Sequence, residues 1–152
     1  MKISSLTDIG TTREMNQDYL YSSEEAVGNL PNLFLVADGM GGHKAGEFAS
    51  RFAVEAVVAA IRENQEKRPV AILSQSIQRA NRRLKEYADE HQQMKGMGTT
   101  IVAAVIDQDT LIVANVETVA CISSEIRSNR SRKTIRWFRR WCALAKWTRK
   151  VP

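Results

Sequence analysis

An α+β fold, in which antiparallel strands pair as hairpins and helices lie outside them, is what this sequence predicts. Three patterns carry the prediction. They are an unbroken apolar run at residues 33–37, two long stretches with helical spacing at residues 46–64 and 69–87, and two β-branched segments around a polar turn at residues 107–109. Hairpins beside long amphipathic helices are typical of layered sheets that are covered by helices.

The apolar run at residues 33–37, Leu-Phe-Leu-Val-Ala, shows no alternation with polar residues. A strand with one face in water alternates apolar and polar side chains. The run therefore predicts a central strand that is covered on both faces. A second strand-like segment precedes it at residues 2–9.

Two stretches have the spacing of amphipathic helices. In residues 46–64 the apolar side chains recur at helical intervals, at Phe48, Phe52, Ala56, Ala59 and Ala60. The stretch at residues 69–87 begins with Pro69, which suits the first turn of a helix. Its apolar positions are Leu73, Ile77, Ala80, Leu84 and Tyr87. Each stretch predicts a helix with one buried face.

The segments at residues 99–105 and 111–116 are rich in β-branched residues, and Asp107, Gln108 and Asp109 separate them. Polar turn residues between two such segments indicate a β-hairpin. Since residues 1–116 contain no internal repeat and no linker, we expect them to form one unit.

Composition excludes several protein classes. The chain has 152 residues, 43% of them hydrophobic, with 8 Gly and 3 Pro, which argues against collagen and low-complexity disorder. Two Cys cannot staple a fold of this length, so we expect a reducing, cytoplasmic setting. No run approaches the roughly 18 to 20 apolar residues of a membrane span, and the N-terminus lacks the pattern of an export signal.

The charge of the chain changes at one point. Residues 1–116 carry 12 Lys and Arg against 15 Asp and Glu, a net charge of −3, whereas residues 117–152 carry 10 against 2, a net charge of +8. All three Trp and both Cys also lie after residue 116. We therefore predict a domain at residues 1–116 and a separate basic tail at residues 117–152.

Chemically active residue types are most concentrated at residues 36–43, Val-Ala-Asp-Gly-Met-Gly-Gly-His. The apolar strand ends in the carboxylate of Asp38, and three glycines follow directly. A hard oxygen ligand beside a backbone that a ligand can approach closely indicates a metal or phosphate site. The same residues also suit a Gly-rich turn in which Asp38 forms the turn or caps a helix.

A second polar cluster lies upstream, at Arg13, Asn16, Gln17 and Asp18. Asp18 is a candidate second carboxylate for a cation. Arg13 offers a forked donor that matches phosphate oxygens. The alternative for Arg13 and Asp18, each taken singly, is a surface ion pair.

Four motifs carry a resemblance to a known family. They are Arg-Glu-Met-Asn-Gln-Asp at residues 13–18, Asp-Gly-Met-Gly-Gly-His at residues 38–43 with Gly46, Glu47 and Ser50, Gly-Met-Gly-Thr-Thr at residues 96–100, and Ala-Asn-Val at residues 114–116. In order and spacing they resemble the bacterial branch of the metal-dependent, PPM-type (type 2C) protein Ser/Thr phosphatases. Four separated motifs are far more specific than one glycine pattern.

The resemblance implies a four-layer α-β-β-α sandwich of two antiparallel sheets flanked by helices, of which this chain is a partial copy. It also implies two Mn²⁺ or Mg²⁺ ions, with Asp38 bridging both, the Gly39 carbonyl binding one, and Asp18 contributing directly or through water. A water activated by the ions would attack phosphorus while Arg13 holds the substrate phosphate. Residues 98–100 are expected to begin a core strand near this cleft.

One departure from the family pattern affects the expected proton donor. Eukaryotic relatives carry a His directly after the Asp-Gly pair, where this chain has Met40. His43 lies nearby and is a candidate general acid, with a structural histidine as the equal alternative. His91, at the end of a charged helix, is expected to be solvated.

The larger departure begins at Glu117, where the family continues with Gly-Asp-Ser-Arg. Residues 117–125 can be assigned permitted codons such that one guanine added before them changes the encoded sequence to Gly-Asp-Ser-Arg-Leu-Tyr-Leu-Ile-Arg. Read in the same shifted frame, residues 126–150 can also encode a sequence that resembles the next segment of the family. We therefore hypothesise that residues 117–152 result from a single-base deletion, which is either a real mutation or a sequencing error. The alternative takes the tail at face value, as a basic aromatic segment that binds nucleic acid or an anionic membrane surface.

The function that the resemblance implies is hydrolysis of phosphoserine and phosphothreonine on proteins, in opposition to a bacterial Ser/Thr kinase. Phosphorylated proteins, including that kinase, would be the partners of a cytoplasmic monomer, without membrane or nucleic acid. Because the later metal-binding aspartates of the family are not in this chain, we expect a half-built site with little activity and marginal stability. The alternative is a non-catalytic binding module with a basic tail.

Overall fold

The structure is a computed structural model, and it describes residues 4–9, 11, 15–41, 44–116 and 124–128. Its elements are β1 (Asp18–Ser23), β2 (Leu33–Met40), α1 (Lys44–Glu63), α2 (Pro69–Glu90), β3 (Gly98–Thr99), β4 (Ile101–Asp107), β5 (Thr110–Val116) and β6 (Ser124–Ser128). A short 3₁₀ turn at Gln92–Met94 follows α2. Both predicted helices and the predicted hairpin are present.

The strands form one antiparallel sheet. Its order is β1-β2-β4-β5-β6, and β3 pairs with the end of β2. β2 is an interior strand, as its unbroken apolar run predicts. β4 and β5 form the predicted hairpin, and Gln108 at its turn has a φ of +50°, the left-handed conformation of two-residue hairpin turns.

Both faces of β2 are apolar and covered. Leu33 and Leu35 belong to the main core, which they share with α1 and α2. Phe34 points to the opposite face, because successive side chains of a strand alternate, and it is buried together with Val102 and Ala104 of β4. The absence of polar alternation therefore reflects burial on two sides.

The two helices cover one face of the sheet. Their contributions to the core include Ala49, Ala53, Val54, Val57, Ile61, Ile72, Leu73, Ile77, Ala80 and Leu84. This arrangement confirms the α+β class and an antiparallel sheet with helices outside it. Among the described residues there is one sheet and one helical layer of the four-layer sandwich that the resemblance implies.

An aromatic stack joins the start of α1 to the end of α2. The ring centroids of Phe48 and Tyr87 lie 4.7 Å apart, and those of Tyr87 and His91 lie 4.0 Å apart. Nδ1 of His91 also lies 2.9 Å from the carbonyl oxygen of Tyr87. The expectation of a solvated His91 was therefore wrong, because the ring packs on the end of its own helix and is half-buried.

At the other end of the helix pair, where α1 ends and α2 begins, the helices contact the loop between β1 and β2. Nδ2 of Asn29 donates to the carbonyl oxygen of Glu66 at 2.8 Å. Gly28 has a φ of +57°, and a Cβ there would lie 2.5 Å from the carbonyl oxygen of Ile61. The loop thus fits closely against the corner between α1 and α2.

The two ends of the chain differ from the sequence predictions. Residues 4–9, part of the predicted strand at residues 2–9, form no strand. At the other end, β6 lies within the predicted tail and pairs with β5 through its backbone, with Val116 opposite Ser124. No helix in the described ranges combines the length and hydropathy that a membrane crossing requires.

Candidate functional site

The two predicted metal-ligating aspartates lie opposite each other in the sheet. β1 and β2 are antiparallel, and their pairing begins with Asp18 opposite Asp38. Directly opposed residues of an antiparallel pair project from the same face, with Cβ atoms about 4.5–5.5 Å apart. The sheet therefore brings two carboxylates together at one end of β1 and β2, although the residues are far apart in sequence.

The Asp18 end of this pair is fixed by an asparagine side chain. Oδ1 of Asn16 accepts a hydrogen bond from the backbone amide of Asp18 at 3.0 Å. Nδ2 of Asn16 donates to Oγ1 of Thr7 at 2.9 Å, which links the loop to the N-terminal segment. A side-chain oxygen that accepts from the backbone two residues later is typical of an Asx turn, and here it starts β1.

The backbone of Asp38 is held by two threonines. Its carbonyl oxygen accepts from the amide of Thr100 at 2.9 Å and from Oγ1 of Thr99 at 3.0 Å. Its amide donates to Oγ1 of Thr100 at 3.2 Å. The Asp38 residue itself is exposed, so a fixed backbone presents a carboxylate to solvent.

Gly39, near the end of β2, packs against the residue that precedes β1 and against the first turn of α1. Its amide donates to the carbonyl oxygen of Gln17 at 3.0 Å. A Cβ on Gly39 would lie 1.9 Å from the carbonyl oxygen of Gly46, and a Cβ on Gly46 would lie 3.0 Å from the carbonyl oxygen of Gly39. Both positions need glycine because the first turn of α1 packs directly on the end of β2.

Two of the predicted catalytic residues, Arg13 and His43, lie outside the described residues. Their roles in phosphate binding and proton transfer therefore stay predictions. Met40, at the position where eukaryotic relatives carry histidine, is 42% exposed.

The oxygen donors among the described residues are of the kind that a hard divalent cation prefers, but they are too few to complete its coordination. The carboxylates of Asp18 and Asp38 and the carbonyl of Gly39 are oxygen ligands, which Mg²⁺ and Mn²⁺ prefer. Within the described ranges, no group of three or more His, Cys, Asp and Glu side chains could hold a metal ion. The assignment of Asp18, Asp38 and Gly39 to a metal site therefore stays a prediction.

Sequence reasoning missed the contribution of Thr99 and Thr100. Residues 98–100 were expected to begin a core strand, and β3 confirms this at Gly98–Thr99, where both residues are buried. The hydrogen bonds of the two threonines to Asp38 depend on register between distant segments. The only local signal is a pair of adjacent hydroxyl side chains at the start of an apolar strand.

Comparisons with known proteins agree with the resemblance. A family model described as protein phosphatase 2C matches residues 11–125, which includes the start of the predicted tail. The serine/threonine phosphatase stp of Listeria monocytogenes is 36% identical over 116 residues, covering 72% of this chain and 44% of that protein. This chain therefore spans less than half the length of that relative.

Solved structures share the fold. The serine/threonine phosphatase Stp1 from Staphylococcus aureus is 33% identical, with a TM-score of 0.64, over 74% of this chain and 45% of that chain. The catalytic domain of the phosphatase PstP in complex with two manganese ions is 26% identical, with a TM-score of 0.63, over 74% of this chain and 46% of that one.

Proposed function

Because the chain belongs to the protein phosphatase 2C family, we propose that its site serves the hydrolysis of phosphoserine and phosphothreonine on proteins. The observation that carries this proposal is the pairing of Asp18 with Asp38, which puts two carboxylates on one face of the sheet. Asp18 and Asp38 are 20 positions apart in sequence, so their carboxylates come together only because β1 and β2 pair in the fold.

Asp38, Asp18 and the carbonyl of Gly39 are the groups that would hold Mn²⁺ or Mg²⁺. The ions, when bound, supply the nucleophile for attack on phosphorus and offset the charge of the phosphoryl oxygens. Asp38 contributes an exposed carboxylate on a backbone that Thr99 and Thr100 hold in place. Gly39 brings its carbonyl against α1, where Gly46 leaves room for it.

Arg13 and His43 complete the proposed roles. The guanidinium of Arg13 would bind two oxygens of the substrate phosphate with its fork of N–H donors. His43 is the candidate for protonating the leaving group, with a structural role as its alternative.

The activity of this chain is expected to be low. Its described side chains supply two carboxylates for a centre that holds two ions in the manganese complex of PstP. Phosphorylated proteins, a Ser/Thr kinase among them, are the proposed partners of a cytoplasmic monomer. The alternative, a non-catalytic module with a basic tail, depends on tail residues that lie almost wholly outside the described ranges.

Binding of Mn²⁺ to the purified chain tests the metal site. We expect weak binding of at most one ion by the wild-type chain and loss of that binding in Asp38→Ala. Asp109→Ala is the matched control, because Asp109 is an exposed aspartate at the β4–β5 turn and is not part of the site. Equal Mn²⁺ binding by wild type and Asp38→Ala would remove the proposed metal role.

A phosphopeptide assay with Mn²⁺ tests the expected level of activity. We expect little or no release of phosphate by this chain. Robust turnover that Asp38→Ala abolishes would confirm the phosphatase chemistry and contradict the expectation of a half-built site. Turnover that persists in Asp38→Ala would contradict the proposed function.

A further inference from the structure

The pairing of β2 with β4 and β3 is interrupted at two successive positions of β2, Ala37 and Asp38. Val36 pairs with Val102 on one side, and Gly39 pairs with Thr99 on the other. Both pairs belong to one register, which puts Thr100 opposite Asp38. Thr100 itself belongs to neither β3 nor β4.

Opposite Asp38, a side-chain hydroxyl takes the place of a backbone carbonyl in one of the two hydrogen bonds that join the strands. The amide of Thr100 donates to the carbonyl of Asp38 at 2.9 Å, as in an ordinary antiparallel pair. The reciprocal bond from the Asp38 amide ends on Oγ1 of Thr100 instead of the Thr100 carbonyl. That carbonyl lies 3.0 Å from Oγ1 of Thr99, which also lies 3.0 Å from the carbonyl of Asp38.

Burial of Thr99 restricts its hydroxyl to the hydrogen-bond partners that the fold provides. Thr99 is fully buried, and its hydroxyl lies between two carbonyl oxygens to which it can donate its proton. A buried hydroxyl without a partner is costly, so its side-chain rotation is constrained by these two acceptors. The peptide groups on both sides of Asp38 are thereby held by two uncharged residues, Thr99 and Thr100.

We propose that Thr99 and Thr100 are positioning residues that fix the backbone of Asp38 so that its carboxylate meets a divalent cation together with Asp18. This inference rests on the proposed function, since it needs Asp38 to be a metal ligand. Groups that orient metal ligands through hydrogen bonds often contribute about 10-fold to 100-fold in metal affinity. The expected effect of losing one hydroxyl is therefore on binding of the ion.

Thr100 is the better position for the test because it is half-buried, whereas Thr99 is fully buried. Thr100→Val keeps the shape of the side chain and removes the acceptor for the Asp38 amide. Thr100→Ser keeps the hydroxyl and removes a methyl group. Thr110→Val is the matched control, because Thr110 starts β5 at the hairpin turn, away from Asp38.

Electron paramagnetic resonance of free Mn²⁺ measures the affinity of each full-length variant, and far-UV circular dichroism checks that each is folded. We expect Thr100→Val to bind Mn²⁺ about 10-fold more weakly than wild type. Thr100→Ser and Thr110→Val should bind like wild type. Amide hydrogen exchange at Asp38 should become faster in Thr100→Val and stay slow in Thr100→Ser.

The remaining outcomes separate the inference from the proposed function. Wild-type affinity in Thr100→Val, or equal weakening in Thr100→Val and Thr100→Ser, would overturn the positioning role while Asp38→Ala still abolishes binding. Failure of wild type to bind Mn²⁺ differently from Asp38→Ala would overturn the metal site and this inference together. If Thr100→Val is unfolded, Thr100→Ala decides by the same comparison.

Discussion

Asn32 and Ile106 are joined by two hydrogen bonds in which a side chain takes the place of a strand backbone. Nδ2 of Asn32 donates to the carbonyl oxygen of Ile106 at 2.7 Å, and the amide of Ile106 donates to Oδ1 of Asn32 at 2.8 Å. Asn32 is buried and directly precedes β2. The pair thus closes the ladder between β2 and β4 at the end away from Asp38.

Asn32→Ala should be among the more destabilising single changes on the sheet. It leaves the amide and the carbonyl of Ile106 without this partner in a partly buried setting, where each unpaired group costs toward the lower part of about 1–3 kcal/mol. We expect a loss of about 2–4 kcal/mol in the free energy of unfolding, measured by urea denaturation.

Asn115→Ala is the control for this change, because Asn115 is an exposed asparagine on β5. Its cost should stay within about 0.5 kcal/mol. Similar losses in the two variants would contradict the structural role of the Asn32 side chain.

Gly39→Ala tests the close packing of the first turn of α1 on the end of β2. Its Cβ would lie 1.9 Å from the carbonyl oxygen of Gly46, so the first turn of α1 must move. We expect a loss of about 3 kcal/mol or more in unfolding free energy, at the upper end for overpacking.

Gly96→Ala provides the comparison for Gly39→Ala. Gly96 has a φ of +81°, but a Cβ there would meet nothing within 4 Å. Its cost should be limited to the left-handed backbone, about 1–2 kcal/mol. If Gly96→Ala proves the more destabilising of the two variants, the close packing of α1 on β2 is not what requires glycine at position 39.

Local patterns were sufficient to predict much of this fold. The apolar run of β2 and the spacing of Leu73, Ile77, Ala80 and Leu84 in α2 are properties of neighbouring residues, and both elements are present. Asp38 was recognisable as a candidate ligand because it stands between a buried strand and a set of glycines. The resemblance to phosphatases then connected it with Asp18.

Features that depend on register could not be predicted in this way. β1 was missed because Asp18–Ser23 is a half-buried edge strand with weak alternation. The hydrogen bonds from Thr100 to Asp38 join segments that meet only after the sheet has formed. The stacking of Tyr87 on Phe48 similarly requires the end of α2 to lie beside the start of α1.

Glu66 should make stability depend on acid pH. A side-chain hydrogen bond from Arg68, with backbone bonds from Lys67 and Arg68, lowers the pKa of Glu66 from 4.5 to about 2. The unfolded chain therefore binds more protons at this residue between these two values, so stability is lost as pH falls through this window. Above about pH 4.5 the contribution is complete.

Glu66→Gln should flatten this part of the pH profile. The urea midpoint, measured from pH 5 to pH 2, should fall less steeply in the variant than in wild type. Glu55→Gln, at an exposed glutamate of α1, is the control and should keep the wild-type slope. An unchanged slope in Glu66→Gln would show that other groups dominate acid unfolding.

Tyr87→Ala should loosen the contact between the two helices. The ring of Tyr87 stacks with those of Phe48 and His91 and lies 5.6 Å from that of Phe52. Because the ring is half-buried, we expect a loss of about 2–3 kcal/mol, somewhat below the range for fully buried aromatics. Tyr87→Phe keeps the ring and should remain close to wild type in thermal denaturation, whereas equal losses would assign the effect to the hydroxyl.

The nucleotide sequence across the codons of residues 110–152, read independently from the source DNA, should contain one additional guanine before the codon of Glu117. The net charge changes from −3 to +8 at this point, and all three Trp lie beyond it. With permitted codons, the restored frame can encode Gly-Asp-Ser-Arg followed by an apolar segment whose side chains are suited to pair with β5, where β6 lies now. If the given frame is confirmed, a sequencing error is excluded and a real deletion in the gene remains, so the basic tail becomes the next element to test for binding to anionic partners.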